Sequence, residues 1–147
     1  MIVGIGVDVV DLARFERAIA RTPGLRDRLF AESERERPVR SLAARFAAKE
    51  ALIKALGGSS VLRWHDMVVV NGEHGDPAFE LHGATAAEAT SRGITSVHLS
   101  MSHDAGIATA FVIAESGTPH SPAPVGDTTA HDGTPHEATP HTESDRA

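Results

Sequence analysis

The chain contains no cysteine and no long apolar run, and each absence excludes a class of protein. Without a cysteine among its 147 residues, neither a disulfide framework nor a thiolate metal site can form. The longest apolar run falls well short of the roughly 20 residues that cross a membrane. The first residues carry no basic segment and soon reach the carboxylate of Asp8, unlike a signal peptide. We therefore expect a soluble, cytoplasmic protein without a membrane or nucleic-acid partner.

The composition of the chain changes at about residue 117. Residues 117–147 hold five of the eight prolines and no aromatic residue, and their only large aliphatic side chain is Val125. Such a segment cannot bury enough apolar area to offset the entropy that it would lose on ordering. We predict one folded domain over residues 1–116 and a disordered tail, rich in proline, histidine and acidic residues, over residues 117–147.

Hydrophobic periodicity and turn residues divide the folded part into nine elements in the order β-α-α-α-β-β-α-β-β. This order predicts an α+β fold, with a small mixed or antiparallel sheet and a long central helix. A capping-box pattern at Ser33 and Glu36 is compatible with either a turn or a short helix. The predicted elements cover residues 2–10, 11–20, 25–30, 39–56, 66–70, 78–81, 83–91, 97–102 and 107–114.

The first predicted strand has two different faces. Its odd positions, from Val3 to Val9, are all β-branched, which predicts a buried strand. The other face carries Gly4 and Gly6 ahead of Asp8. Two glycines on one strand face leave room for something to approach closely beside the carboxylate.

The long helix carries charge within its apolar stripe. At about 100° per residue, Lys49 falls within the stripe that runs from Leu42 to Leu56. Glu50 and Lys54 form an i,i+4 pair on its flank. One interpretation is an ordinary helix with a solvated ion pair and a lysine that reaches solvent along the core. The other is a site that binds a charged ligand.

Asp8, Glu50 and the His103-Asp104 pair are the candidate functional residues. Each also has a structural interpretation, as a hydrogen-bonded strand acid, a helix ion pair or a turn at a strand end. Two carboxylates without a histidine ligand suit Mg²⁺, which prefers oxygen ligands and leaves positions for substrate phosphate. The residues alone therefore predict Mg²⁺-dependent phosphoryl-type transfer. The cations placed to neutralise the phosphate oxygens are Arg45, Lys49 and Lys54.

Three segments resemble one family of bacterial enzymes. They are residues 4–12 (Gly-Ile-Gly-Val-Asp-Val-Val-Asp-Leu), 45–55 (Arg-Phe-Ala-Ala-Lys-Glu-Ala-Leu-Ile-Lys-Ala) and 100–103 (Ser-Met-Ser-His). In this order they are similar to the holo-[acyl-carrier-protein] synthases, the short class of 4′-phosphopantetheinyl transferases. The second segment is the most specific, and the resemblance covers nearly all of residues 1–116.

The resemblance implies an activity and the residues that carry it. The family transfers 4′-phosphopantetheine from coenzyme A to a serine of apo acyl carrier protein and releases 3′,5′-ADP. By this resemblance, Asp8 and Glu50 bind Mg²⁺ with the pyrophosphate, and Lys54 stabilises or protonates the leaving phosphate. The residues that the resemblance places at the coenzyme A site are Arg45, Lys49, Gly57 and His103.

The resemblance also implies partners. Acyl carrier proteins are acidic, and the family docks them on the first helix, where Arg14, Arg17 and Arg21 share one face. Complementary charge of this kind mainly sets the rate and orientation of encounter. The family assembles as a homotrimer with its active sites between subunits. Whether the carrier belongs to fatty-acid, polyketide or peptide synthesis stays open.

The sequence leaves the general base and two other functions open. The base that takes the serine proton can be a metal-bound water, Glu50 or Asp8 acting through water, or His103 with Asp104. Another Mg²⁺-dependent phosphodiester or nucleotide enzyme would turn over without a carrier protein. A non-catalytic module that binds coenzyme A or a carrier would tolerate the loss of Glu50.

Overall fold

The computed structural model describes residues 1–58, 60–72 and 74–117. Nearly all of the predicted tail lies outside these residues, so the division into domain and tail stays a prediction. None of the described helices is long and apolar enough to cross a membrane. In chain order the elements are β1 (Ile2–Asp11), α1 (Leu12–Arg21), α2 (Leu25–Leu29), α3 (Glu32–Arg35), α4 (Val39–Ala55), a 3₁₀ turn (Trp64–Asp66), β2 (Met67–Asn71), β3 (Pro77–Leu81), α5 (Gly83–Ser91), β4 (Ile94–Asp104) and β5 (Ile107–Ser116).

The strands form two separate antiparallel sheets. In the larger sheet β5 lies between β1 and β4, and in the smaller β2 pairs with β3. Val7 of β1 pairs with Phe111 of β5, which also pairs with Ser100 of β4. The β4–β5 turn passes through Ala105 and Gly106 with φ of 46° and 79°, the positive values that a two-residue hairpin turn requires. The predicted α+β fold with antiparallel strands is confirmed.

Helix α4 is the centre of the domain and packs against both β1 and β5. Its buried residues extend around most of the helix, and Ala43, Ala47, Ala48 and Ala51 are completely buried. Small side chains on several faces let neighbouring elements come close to the helix backbone. The predicted single apolar stripe is therefore too narrow, and Phe46, placed in that stripe, is only partly buried.

The two glycines of β1 lie directly against α4. A Cβ on Gly6 would stand 1.8 Å from the carbonyl oxygen of Ala51, and one on Gly4 would stand 2.0 Å from that of Ala55. Only a residue without a side chain fits at such distances. The predicted close approach therefore occurs, and the backbone of α4 is what approaches. This contact brings Asp8 beside the C-terminal half of the helix.

The prediction that the odd face of β1 is buried is wrong for the described residues. Ile5, Val7 and Val9 are 55%, 51% and 61% exposed, and Phe111 of the neighbouring strand is 44% exposed. The glycine face, together with buried Val10, is the one that packs against α4. None of the described segments covers the opposite, apolar face of β1 and β5, which we term the open face.

The segment between α2 and α4 contains one more helix than the predicted order. The predicted capping box at Ser33 and Glu36 is displaced, because α3 begins after Ala31. The Ala31 N–H donates to Glu34 Oε2 at 3.1 Å, so Glu34 supplies the carboxylate half of a capping box. Glu34 is only 2% exposed, which places a charged group in the core.

We expect Gly6→Ala to lower the melting temperature by at least about 10 °C, because the added methyl group collides with a helix carbonyl oxygen. Relieving this collision requires the two backbones to move apart. We expect this to lower the free energy of unfolding by about 3 kcal/mol or more, the upper end of the usual cost of overpacking a core. The matched control is Gly93→Ala, since Gly93 has φ of 70° but no neighbouring atom would lie within 4 Å of the added methyl group. That variant measures backbone strain alone, about 1–2 kcal/mol. Equal losses in thermal unfolding followed by circular dichroism would contradict the close contact.

Candidate functional site

Asp8 is the centre of a charged cluster between β1 and α4. Its Oδ1 accepts a hydrogen bond from Lys54 Nζ at 2.7 Å, and the same ammonium donates to the Val7 carbonyl oxygen at 2.9 Å. The Asp8 side chain is 16% exposed and that of Lys54 is 51% exposed. The carboxylate is therefore largely enclosed, and the half-exposed lysine covers it from the solvent side.

Glu50 faces the same cluster from one helical turn before Lys54. Partial burial raises the pKa of the Glu50 carboxyl, the negative charge of Asp8 raises it further, and the ammonium of Lys54 opposes both. Two mutually repelling carboxylates attract a divalent cation. The described residues contain no group of three or more potential protein ligands for a metal. A cation here would complete its shell from water or substrate, as Mg²⁺ commonly does.

Asp8 and Glu50 line a cavity of about 540 Å³, which we term the carboxylate cavity. Arg14 of α1 lines the same cavity, and the rings of Phe15 and Phe46 form an aromatic part of its wall. The two rings also contact each other, with centroids 5.5 Å apart. The cavity therefore combines a cation site, a basic side chain and an apolar surface.

Arg45 and His103 line a second cavity of about 540 Å³, which we term the arginine cavity. It lies among the N-terminal half of α4, the β2–β3 hairpin and the end of β4, and Asn71 also lines it. The two cavities share no lining residue. The structure thus brings Asp8 together with Glu50, and Arg45 together with His103, without joining the two groups.

Arg45 is only 4% exposed although it lines a cavity. Its guanidinium donates from Nη1 to Ser41 Oγ and from Nη2 to Asn71 Oδ1, the latter at 3.4 Å. Burial lowers the pKa of Arg45, the positive charge of Arg37 lowers it further, and the charge of Glu34 opposes both. A desolvated guanidinium at a cavity wall is suited to binding phosphate.

Comparison with known proteins assigns the chain to a family. The sequence model of the 4′-phosphopantetheinyl transferase superfamily matches residues 4–112. The chain belongs to that superfamily. It is 68% identical over 115 residues to the holo-[acyl-carrier-protein] synthase of Leifsonia xyli. This match covers 78% of this chain and 98% of that relative. The predicted family is therefore confirmed.

Solved structures of superfamily members share the fold. The holo-[acyl-carrier-protein] synthase of Neisseria meningitidis gives a TM-score of 0.73 at 34% identity, over 78% of this chain and 99% of that chain. The synthase of Helicobacter pylori, solved in complex with coenzyme A, gives a TM-score of 0.68 at 31% identity, over 76% of this chain and 99% of that chain. These comparisons extend over nearly the whole length of both relatives.

Lys49 has a structural place in this transferase-family fold and lines neither described cavity. Its buried ammonium donates to Glu34 Oε2 at 2.6 Å and to the carbonyl oxygens of Leu29 and Trp64 at 3.0 and 3.1 Å. It also lies 5.0 Å from the centre of the Phe30 ring. These three acceptors use all three N–H groups of the lysine. A direct contact between Lys49 and coenzyme A stays a prediction, and in this structure the ammonium is bonded to protein acceptors instead.

Asp104 and Gly57, like Lys54, line neither cavity. Asp104 Oδ1 accepts a hydrogen bond from the Ala105 N–H at 2.8 Å. This bond within the β4–β5 turn agrees with the structural interpretation of Asp104 as a turn residue. Gly57 has φ of 68°, and its N–H donates to the Lys54 carbonyl oxygen at 3.0 Å, as in a helix C-cap. It lies at the same end of α4 as Lys54. The functional roles of Asp104 and Gly57 stay predictions.

The first helix begins beside the carboxylate cavity. Asp11 caps α1 by accepting a hydrogen bond from the Arg14 N–H at 2.7 Å, as its position in the sequence predicts. Arg14 lines the cavity, and Arg17 and Arg21 are exposed farther along α1. Their contact with a carrier protein stays a prediction.

Sequence reasoning missed Glu34, the buried partner of Lys49. Its Oε1 also accepts a hydrogen bond from the Val69 N–H at 3.1 Å, so one carboxylate joins α3, α4 and β2. The signal for it was indirect, because a lysine on a core-facing helix position either reaches solvent or pairs with a buried acid. Glu32, Glu34 and Glu36 were equally good candidates from their spacing alone. The other cavity residues that sequence reasoning missed include Ser41 and Asn71.

We expect Glu50→Gln to raise the melting temperature of the metal-free protein by a few degrees at pH 7. A carboxyl whose folded pKa is raised binds more protons in the folded state, so its contribution to stability falls as pH rises through that window. The gain should shrink when the pH is lowered below the ordinary carboxyl range, where both states are protonated. Thermal unfolding in chelator between about pH 3 and 7 measures this, with Glu80→Gln, at the exposed position of β3, as the control. A gain that does not vary with pH would contradict the repulsion.

Proposed function

We propose that this chain transfers 4′-phosphopantetheine from coenzyme A to a serine hydroxyl of an apo acyl carrier protein and releases 3′,5′-ADP. The observation that carries the proposal is Asp8, which pairs with Lys54 and lines the carboxylate cavity together with Glu50. The same residues fall within the match to the 4′-phosphopantetheinyl transferase superfamily. The Leifsonia xyli relative is named holo-[acyl-carrier-protein] synthase, which agrees with a reaction on an acyl carrier protein.

The carboxylate cavity supplies the phosphoryl-transfer chemistry. Asp8 and Glu50 would hold Mg²⁺, because their adjacent carboxylates repel each other and face an open cavity. When bound, the ion withdraws charge from the pyrophosphate and steadies the leaving group. The Lys54 side chain is half exposed, so its ammonium can turn from Asp8 and neutralise the departing 3′,5′-ADP phosphate. The serine oxygen bonds to phosphorus as the pyrophosphate bond breaks, and its proton passes to a carboxylate or water of the site.

The arginine cavity supplies the second half of the coenzyme A site. Arg45 is a buried cation at its wall, and His103 lies beside it at the end of β4. Because this cavity shares no residue with the carboxylate cavity, we place the two halves of one site on neighbouring copies of the chain. Coenzyme A then spans from the arginine cavity of one subunit to Asp8 and Glu50 of the next.

The open face supports assembly into a homotrimer. Val7 pairs with Phe111 across β1 and β5, and both side chains are about half exposed, together with Ile5 and Val9. A contiguous apolar face on a small chain favours association with another copy. The number of three subunits comes from the family resemblance.

The carrier protein approaches along α1. Arg14 lines the carboxylate cavity, and Arg17 and Arg21 are exposed on the same helix. An acidic carrier docked on this basic face would place its acceptor serine toward Asp8 and Glu50.

The decisive test weighs the carrier by intact mass spectrometry after incubation with the full chain, coenzyme A and Mg²⁺. We expect one phosphopantetheine group to be added. Glu50→Ala and Lys54→Met should each lower the rate by roughly a hundredfold or more, because each removes a charge opposite the transferred phosphate. Glu80→Gln removes an exposed carboxylate of β3 and should keep the rate of the unchanged chain.

The alternatives give different results in the same assay. Binding of coenzyme A without modification of any of several carriers would favour the non-catalytic module. Release of 3′,5′-ADP in the absence of a carrier would favour another Mg²⁺-dependent nucleotide enzyme. Full activity of the Glu50→Ala variant would contradict the proposed site.

Assembly is tested separately by sedimentation equilibrium. The unchanged chain should sediment at about three times its mass of 15.5 kDa. Phe111→Lys should dissociate the assembly and abolish transfer, because it places an unpaired charge in the centre of the open face. Ala87→Lys, on the exposed side of α5, adds the same charge elsewhere and should change neither mass nor rate. A Phe111→Lys variant that keeps both would contradict assembly through this face.

A further inference from the structure

Three charged side chains are buried together behind the arginine cavity. Arg45, Lys49 and Glu34 are 4%, 0% and 2% exposed. Glu34 belongs to α3 and the two cations belong to α4, so the cluster lies between these helices. Two cations and one anion leave this buried group with one uncompensated positive charge.

Glu34 divides its charge unequally between the two cations. Its Oε2 lies 2.6 Å from Lys49 Nζ, whereas its Oε1 lies 4.0 Å from Arg45 Nε. Oε1 instead accepts the Val69 N–H at 3.1 Å. Within the described part of the chain, Arg45 Nε is buried without a hydrogen-bond partner. The ion pair therefore belongs to Lys49, and the uncompensated charge is that of Arg45.

Arg45 is the member of the group that reaches the cavity. It is a lining residue of the arginine cavity together with Ser41 and Asn71, which accept its two Nη hydrogen bonds. Lys49 and Glu34 do not line this cavity. The nearest carboxylate to Arg45 is 4.0 Å away and pairs more closely with Lys49. A buried guanidinium with so distant a counter-charge attracts an anion, because desolvation has removed the water that would screen it.

We propose that Lys49 is a positioning residue that keeps Arg45 free to bind a coenzyme A phosphate, by holding the Glu34 carboxylate away from it. Lys49 then acts on the ligand through Glu34 and Arg45, without touching it. This inference rests on the proposed coenzyme A site in the arginine cavity. It explains why a lysine in the core accompanies an arginine one turn earlier on α4.

The consequence of removing Lys49 follows from the same distances. In Lys49→Met, the Glu34 carboxylate loses its ion-pair partner, and Arg45 Nε is the next cation, 4.0 Å away. A small shift would pair them, neutralise Arg45 and draw its guanidinium from the cavity. In Glu34→Gln/Lys49→Met, the competing carboxylate is also gone. The net charge of the buried group then equals that of the unchanged chain, and Arg45 again carries it alone.

The experiment measures binding of 3′,5′-ADP to the full chain by isothermal titration calorimetry. We expect Lys49→Met to weaken binding at least tenfold and Glu34→Gln/Lys49→Met to restore it to within about threefold of the unchanged chain. Arg45→Gln should weaken binding in both the unchanged and the double-variant background. Asp27→Asn removes an exposed acid from neighbouring α2 and should leave the affinity unchanged. In the transfer assay, Lys49→Met should raise the KM for coenzyme A more than it lowers kcat.

The double variant keeps the proposal falsifiable if Lys49→Met does not fold, since it removes both members of the buried pair together. A folded double variant that binds 3′,5′-ADP at least tenfold more weakly than the unchanged chain would overturn the proposal, because Lys49 would then act directly. No effect of Arg45→Gln on binding would overturn it together with the site assignment. Normal nucleotide binding with the expected rescue, but without modification of any carrier, would support the positioning role and contradict only the proposed reaction.

Discussion

The contact between the glycines of β1 and the backbone of α4 sets the geometry of the whole chain. Gly4 lies against Ala55 and Gly6 against Ala51, so strand and helix run in opposite directions at the closest approach. Helix side chains point back toward the N-terminus of their helix. The Lys54 side chain is therefore directed along α4 to the level of Asp8, two residues beyond Gly6 on the same strand face. The carboxylate–lysine pair is a consequence of this register.

Helix α4 carries two lysines whose surroundings give them opposite properties. Lys54 has a half-exposed side chain and bonds to the surface of β1, so a competing ligand can exchange with it at little cost. Lys49 is completely buried, with three acceptors and an aromatic ring around it. Moving it would leave Glu34 buried in the core without its ion-pair partner. Breaking such a buried pair typically costs about 3–5 kcal/mol. Burial therefore separates the lysine available for chemistry from the lysine that fixes the scaffold.

The elements of the fold and much of the carboxylate cavity could be predicted from the sequence, because they depend on local periodicity and on motifs. Asp8, Glu50 and Lys54 were found in this way. The side of β1 that is buried could not be found, since an alternating β-branched pattern shows an apolar face without showing what covers it. The helix pattern placed Lys49 within the apolar stripe and Lys54 on its flank, but it could not identify Glu34 as the buried partner of Lys49, because Glu34 lies on a different helix. Long-range pairing of charges is set by packing, which no local pattern contains.

The open face and the charged cluster are the two sides of a single strand. The side chains of β1 alternate, so Val7 and Val9 on the open face flank Asp8 on the helix face. The Asp8 carbonyl oxygen also accepts a hydrogen bond from Thr109 Oγ1 at 3.0 Å, which ties the strand at this residue to β5. A second copy packed on the open face would clamp β1 and β5 together directly behind the carboxylate. Assembly would then do more than bring two half-sites together, because it would also restrict the strand from which Asp8 projects. The stability of such an apolar contact and the position of the carboxylate would therefore be coupled through one strand.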